Sequence, residues 1–302
     1  MVLEALESIE SIKKNSITVL LVAVVLSAVS IVVAYNLFPD STGVYALSLI
    51  TIAMIPVLHT LFSKEEEDEV DRPGFAPGFI VRHFSLIKFY SWFFIGLVAS
   101  YALWFVILPP EVPEICGTSS KDLICMVPPK SVLFKEQMKQ FSAITGNATG
   151  TGKAVVAWNE CKNPDTRNLD NCRDFIFSNN SFVMGLSVLL SFAYGAGAIE
   201  LIGWNASVVG TFVGQEIARK DVVSGVALAI GYLPHGIFEI AAYFLGAIAG
   251  GIISTAISRR KYRTHEFEII AKDVLAILIL AYILLYIGAW IESSIILGQV
   301  YL

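Results

Sequence analysis

One stretch decides the fold: LPHGIFE, residues 233–239, which sets a proline, an imidazole and a carboxyl group inside an apolar segment. From Val222 to Ser258 the only Asp, Glu, Lys, Arg or His residues are His235 and Glu239. A charged side chain near the centre of a bilayer costs about 3 kcal/mol on insertion scales. Two such groups, four residues apart and directly after a proline, are therefore predicted to have a definite structural or chemical role.

The composition of the chain indicates an all-α, polytopic membrane protein with about six (five to seven) transmembrane helices. The 302 residues are 55% hydrophobic and only 16% charged, with a mean hydropathy of +0.68. Several apolar runs reach the ~20 residues that a membrane helix needs. They are continuous rather than alternating, which excludes β-barrel strands. The net charge of −5 argues against a nucleic-acid partner and leaves the lipid bilayer as the main one.

Apolar and polar segments divide the chain into three parts. The N-terminal transmembrane part (1–108) contains three spans and a polar loop at 63–88; a polar loop follows at 109–174; the C-terminal transmembrane part is 175–302. The single spans are predicted at Ile17–Phe38, Val44–Phe62, Phe89–Leu108 and Val274–Leu297.

Basic residues in short loops predict the orientation, because such loops stay in the cytoplasm. The membrane is expected to be the cell (plasma) membrane. Its cytoplasmic side is predicted to hold Lys13 and Lys14, the 63–88 loop and the basic cluster at 259–263. The N-terminus is then cytoplasmic and the 109–174 loop lies outside.

The segment from 175 to 258 requires an odd number of crossings, because Cys172 is predicted outside and Arg259 inside. Three full helices would place Arg219, Lys220 and Asp221 inside the middle one. We therefore expect one full span with short, broken or re-entrant helices and a break near Pro234. The number of crossings stays open at this point.

All four cysteines lie in the external loop, which predicts a disulfide-stapled cap. They are Cys116, Cys125, Cys161 and Cys172. Three pairings are possible; Cys116–Cys125 with Cys161–Cys172 closes the smallest loops and is preferred, and a zinc site is the alternative. Asn147 begins a glycosylation sequon in the same loop, so the chain is a candidate glycoprotein.

The 233–239 motif has an architectural and a chemical interpretation. If a helix begins at Pro234, its N-terminus favours the Glu239 carboxylate, which would hold His235 in a hydrogen bond. Alternatively, both face a cavity and relay a proton or bind a divalent metal such as zinc, with Glu200 as a third ligand. No cofactor is certain. Glu292 is expected at the membrane interface, and Asn180 and Asn205 are expected to bond across helices.

The order of motif residues resembles the stage II sporulation protein M family of integral membrane proteins. The resemblance covers residues 174–258. It is carried by Phe175–Asn180, Gly195 and Gly197, Asn205 and Gly210, and then the LPHGIFE stretch with Pro234, His235, Gly236 and Glu239. Many relatives have Asn-Gly where this chain has Asn205-Ala206, and Glu200 is not part of the pattern. The resemblance implies a membrane scaffold; sporulation members look like scaffolds that work with cell-wall hydrolases during engulfment.

Three functions follow as hypotheses. The first is a non-enzymatic scaffold or assembly factor with membrane or envelope protein partners. The second is a small-solute or ion transporter or channel in which His235 and Glu239 line a midplane cavity. The third is an intramembrane metal-dependent hydrolase. Gly246 and Gly250 form a GxxxG pattern, which leaves a homo-oligomer open.

Overall fold

The computed structural model describes residues 16–71, 79–111, 123–144, 169–195 and 197–298. Within these ranges the protein is helical and contains no β-strand. The α-helices are α1 (Ser16–Leu37), α2 (Thr42–Asp71), α3 (Phe79–Ile107), α4 (Lys130–Leu133), α5 (Lys135–Ile144), α6 (Leu169–Tyr194), α7 (Ala198–Arg219), α8 (Val222–Ser258) and α9 (His265–Ile296).

Six helical segments of the described chain are long and apolar enough to cross a membrane. Four of them correspond to the single spans predicted from sequence, in α1, α2, α3 and α9. The other two are α6 and α8, from the segment whose crossings the sequence left open. The prediction of an all-α, multi-pass membrane protein is confirmed.

The chain forms two compact units. The first comprises Met1–Met54, Lys88–Phe141 and Ile202–Ala229, and the second comprises Ile55–Ile87, Ser142–Leu201 and Ile230–Leu302. The boundaries between the predicted parts of the chain therefore differ from the boundaries of the compact units, because single long helices contribute to both.

In the first unit, α3 runs parallel to both α1 and α7. The hydroxyls of Ser27 and Ser100 are 2.6 Å apart, and a Cβ at Gly96 would lie 2.8 Å from the Cβ of Ala23. The contacts follow the same order along both helices, so α1 and α3 are parallel. Along α7, Gly210 lies against Val98 and Tyr101, and Gly214 lies against Ala102 and Phe105. Glycine is needed at these α7 positions because the α3 backbone leaves no room for a side chain.

In the second unit, α8 runs parallel to α6, and α9 runs antiparallel to α6. Contacts between α6 and α8 advance in the same order along both helices, from Asn180 with Glu239 to Ser191 with Gly250. Contacts with α9 run in the opposite order: Phe177 meets Tyr282, and Cys172 packs with Ala289. The Gly246–Gly250 pattern therefore packs α8 against α6 of the same chain.

Because α6 and α8 are parallel, the chain between them must return across the same distance, and α7 supplies that return. It has 22 residues, about 33 Å of helix. None of its residues from 198 to 217 is exposed. A helix that is largely covered by protein needs less lipid-compatible surface, so Glu200 and Glu216, near its two ends, are compatible with a crossing.

The predicted break at Pro234 is wrong, because α8 continues through this proline from Val222 to Ser258. The break lies upstream at Asp221, which caps α8: the Ser224 backbone N–H donates to the Asp221 carboxylate at 2.8 Å. This bond holds the pKa of Asp221 below its ordinary value. Lys220 and Asp221 thus lie in the turn between α7 and α8, and Arg219 is the last residue of α7.

The external loop is described only in part. Cys125 and Cys172 are disulfide-bonded rather than free thiols. Cys116, Cys161 and Asn147 lie outside the described residues. The pairing, the number of disulfides and the glycosylation site therefore stay predictions.

Candidate functional site: a polar network between α6, α8 and α9

The centre of the network is a short hydrogen bond between α6 and α8. The Asn180 side-chain amide donates to Glu239 Oε1 at 2.6 Å. Asn180 is only 7% exposed and Glu239 is partly buried, so this bond is largely shielded from the surface of the second unit. If this bond were lost, the amide or the carboxyl group would be left without a partner in apolar surroundings, which costs free energy. The bond therefore fixes α6 against α8.

Glu292 of α9 forms a hydrogen bond with Glu239, so its carboxyl group belongs to this network; its position at the membrane interface stays a prediction. The approach is close because α9 presents Gly288 to α8: a Cβ there would lie 3.1 Å from Glu239 Cγ and 3.4 Å from Phe238 Cβ. Glu292 follows Gly288 by four residues and so lies on the same face of α9. A carboxylate has no donor, so a carboxyl–carboxyl hydrogen bond places a proton on one of the two groups.

Tyr243 completes the network from one turn further along α8. Its hydroxyl donates to Asn180 Oδ1 at 3.0 Å. The Asn180 side chain thus accepts from Tyr243 and donates to Glu239, so that both ends of its amide are used. A chain of donors and acceptors runs from Tyr243 through Asn180 and Glu239 to Glu292, and it joins three helices.

His235 does not take part in this chain, which corrects the expectation that Glu239 holds it. Its Nδ1 is buried and has no hydrogen-bond partner among the residues that the structure describes. The imidazole instead lies 5.8 Å from the ring of Tyr232, one turn earlier on α8. Although His235 and Glu239 share a helix face by spacing, the carboxyl group is occupied by Asn180 and Glu292.

Pro234 and Gly236 mark a change of environment along α8. Leu233 and Ile237 are more than half exposed, and a side chain at Gly236 would meet no atom within 4 Å. By contrast, every residue from 242 to 252 is buried. The motif therefore lies where α8 passes from an exposed stretch to one that is enclosed by protein.

The predicted metal triad of His235, Glu239 and Glu200 is not assembled in this structure. Among the described residues, no group of three or more His, Cys, Asp or Glu side chains is placed to hold a metal ion. Glu200 lies in the first turn of α7. Asn205 lies in the same helix, where it is partly buried.

Comparison with known proteins identifies one family. The family model described as Stage II sporulation protein M matches residues 4–295. The match extends the sequence resemblance, which covered 174–258, to nearly the whole chain, including the first three spans and the cysteine loop. No curated protein and no solved structure matched the chain.

Proposed function

Because the chain belongs to the stage II sporulation protein M family, we propose that it is an integral membrane scaffold or assembly factor without chemistry of its own. The observation that carries this proposal is that the motif carboxyl group, Glu239, is bonded to protein groups on both neighbouring helices. A carboxyl group used in this way holds a helix bundle together. The engulfment role of sporulation members is not extended to this chain, because a shared fold does not fix a function.

The directions of the helices support a topology of seven crossings. The six apolar spans together with α7 make seven, one more than hydropathy alone counts. With a cytoplasmic N-terminus, seven crossings place the 109–168 loop outside and the basic cluster 259–263 inside. Six crossings would place that basic cluster outside, against the positive-inside rule. We therefore assign the cysteine loop to the outer face of a cell membrane and the basic loops to the cytoplasm.

The scaffold function also fits the external loop. Helices α4 and α5, in the described part of this loop, offer a surface to an envelope protein. In the first unit, Gln137 of α5 is buried and donates to the Ser207 hydroxyl of α7 at 3.1 Å, and Trp204 donates to Gln140 at 2.9 Å. These contacts fix part of the loop to the transmembrane bundle.

Two measurements on the same protein test this function against transport. The first is chemical crosslinking of the full chain in its native membrane, which should give a discrete complex that forms with Glu239→Gln and is lost when Glu239→Leu destabilises the bundle. The second is proton or ion flux in reconstituted vesicles, which should not exceed that of empty vesicles. Flux that depends on Glu239 and disappears in Glu239→Gln would contradict the scaffold function and support the transporter.

A hydrolase would need a metal, and stoichiometric metal analysis of the purified protein tests it directly. The scaffold function predicts no zinc at one equivalent or near it. One equivalent of zinc that is lost on His235→Ala would overturn the proposal.

A further inference from the structure

The turn between α8 and α9 carries a dense group of basic side chains at a membrane boundary. It has the sequence Arg259-Arg260-Lys261-Tyr262-Arg263, and it joins two helices that are each long enough to span the bilayer. Arg259, Arg260 and Arg263 are exposed, and Tyr262 is 49% exposed. An exposed tyrosine beside arginines at the end of a membrane helix is placed at the level of the lipid headgroups.

The positive charge of this turn is only partly neutralised by the protein. Lys261 pairs with Glu266 at 3.1 Å, and Glu268 is shared by Lys272 and His265. Within the described part of the chain, Arg260 and Arg263 form no ion pair, and the Arg263 guanidinium lies over the Tyr262 ring. Two arginines with free donors therefore remain on one short turn.

The backbone at Arg260 adds an independent observation. Its φ of 61° and ψ of 23° place it in the left-handed region directly after α8. Glycine is the usual residue at this helix-terminal position, because a side chain there is strained. The exposed Arg260 side chain therefore stands at the end of α8 on a strained backbone, which is consistent with a role for it.

We infer that this turn, residues 259–263, binds the phosphate of an anionic phospholipid headgroup, with Arg260 and Arg263 as its principal donors. Guanidinium groups match phosphate oxygens with paired hydrogen bonds. The exposed Tyr262 ring would lie among the headgroups and upper acyl chains. This inference does not depend on the scaffold function.

Native mass spectrometry of the full chain in detergent tests the assignment, with short-chain phosphatidylglycerol and phosphatidylcholine as probes. Wild-type protein should bind phosphatidylglycerol more tightly. The double variant Arg260→Gln, Arg263→Gln should lose roughly fivefold in affinity per arginine, as expected from about 1 kcal/mol per basic residue at an anionic surface. The control variant Arg219→Gln, Lys220→Gln, at a different exposed turn, should keep wild-type affinity.

A second variant separates binding from folding. Arg260→Gly relieves the left-handed strain, so its thermal stability in phosphatidylcholine should equal or exceed that of the wild type, while its preference for phosphatidylglycerol falls. Unchanged phosphatidylglycerol affinity in the double variant would overturn the inference. Displacement of the lipid by an equal concentration of inorganic phosphate would also overturn it, because a free anion would then be the occupant.

Discussion

Glu239 of α8 and Glu292 of α9 are joined by a hydrogen bond, 53 residues apart in sequence and on two membrane-spanning helices. Two carboxylates would repel each other and neither could donate, so we expect the pair to hold one proton. Asn180 and Tyr243 extend this bond to α6. The LPHGIFE motif therefore contributes one carboxyl group to a network whose other members lie outside the motif or come from other helices.

The shared proton predicts a spectroscopic signature. Infrared spectra of the wild type at neutral pH should contain a protonated-carboxyl C=O band that is absent from the double variant Glu239→Gln, Glu292→Gln. The variant should stay folded, because two amides can hydrogen-bond to each other in the same place. Glu266→Gln, which removes a partly exposed carboxyl group, is the control and should leave the band unchanged. Identical spectra for wild type and double variant would show that the pair holds no proton.

The close approach of α6 and α8 predicts that two glycines of one GxxxG pattern differ in their tolerance to alanine. A Cβ at Gly250 would overlap the Val188 carbonyl oxygen and lie 2.8 Å from Ser191 Cβ. A Cβ at Gly246 would meet the side chains of Met184 and Val188 at 3.1 and 3.3 Å, and backbone only at 3.4 Å, an ordinary van der Waals distance. Gly250→Ala should lose about 1–3 kcal/mol of unfolding free energy in detergent. Gly246→Ala should lose much less.

Gly231→Ala is the matched control on the same helix, because a side chain there meets no atom within 4 Å. It should gain up to about 1 kcal/mol from helix propensity. An equal loss at all three glycines would argue against the α6–α8 packing.

The cap at Asp221 predicts a pH-dependent contribution to stability. Hydrogen bonds from Ser224 lower the pKa of Asp221 in the folded protein. A lowered folded-state pKa gives stability that is complete above the unfolded pKa of about 4 and is lost as the pH falls through the folded pKa. Asp221→Ala should lower the melting temperature at pH 7, and its difference from wild type should shrink in acid.

Asp221→Ser should recover much of the loss, because serine is also a good N-cap. A difference that is independent of pH would contradict the role of the carboxylate.

Seven crossings predict which turns a membrane-impermeant thiol reagent reaches. In intact cells, Lys220→Cys should be labelled from outside, and Arg260→Cys should be labelled only after permeabilisation. Ser131→Cys, on the external loop, is the positive control. Labelling of Arg260→Cys in intact cells would restore the count of six.

Hydropathy was sufficient to predict most of the long helices from the sequence, but it did not predict α7. The lipid-facing helices must be apolar, so their sequences reveal them: α1 is predicted within a residue of its observed ends. α7 has no exposed residue from 198 to 217, so its sequence is under a weaker constraint, and its ends carry Glu200, Glu216 and Arg219. The parallel directions of α6 and α8, and not the composition of α7, are the basis for the proposed seventh crossing.

The motif was found from sequence, but its partners could not be assigned. Polar residues in an apolar run pointed correctly to Glu239 and Asn180. Proline was expected to begin a helix, yet a proline in the interior of a membrane helix is tolerated when neighbouring groups satisfy the freed backbone. The contact of Glu292 with Glu239 could not be predicted, because it depends on the offset of α9 along α8. That offset is set by Gly288 against Phe238 and Glu239, which is a tertiary contact.

A double-mutant cycle on Asn180 and Glu239 tests the central claim, that the motif carboxyl group holds the α6–α8–α9 bundle together. The free energy of unfolding in detergent is measured for wild type, Asn180→Leu, Glu239→Leu and the double variant. The network predicts that each single variant is destabilised by about 1–3 kcal/mol and that the pair is coupled by about 1–2 kcal/mol, because the second substitution removes a partner that is already unpaired. Fully additive losses, with a coupling energy near zero, would contradict the account.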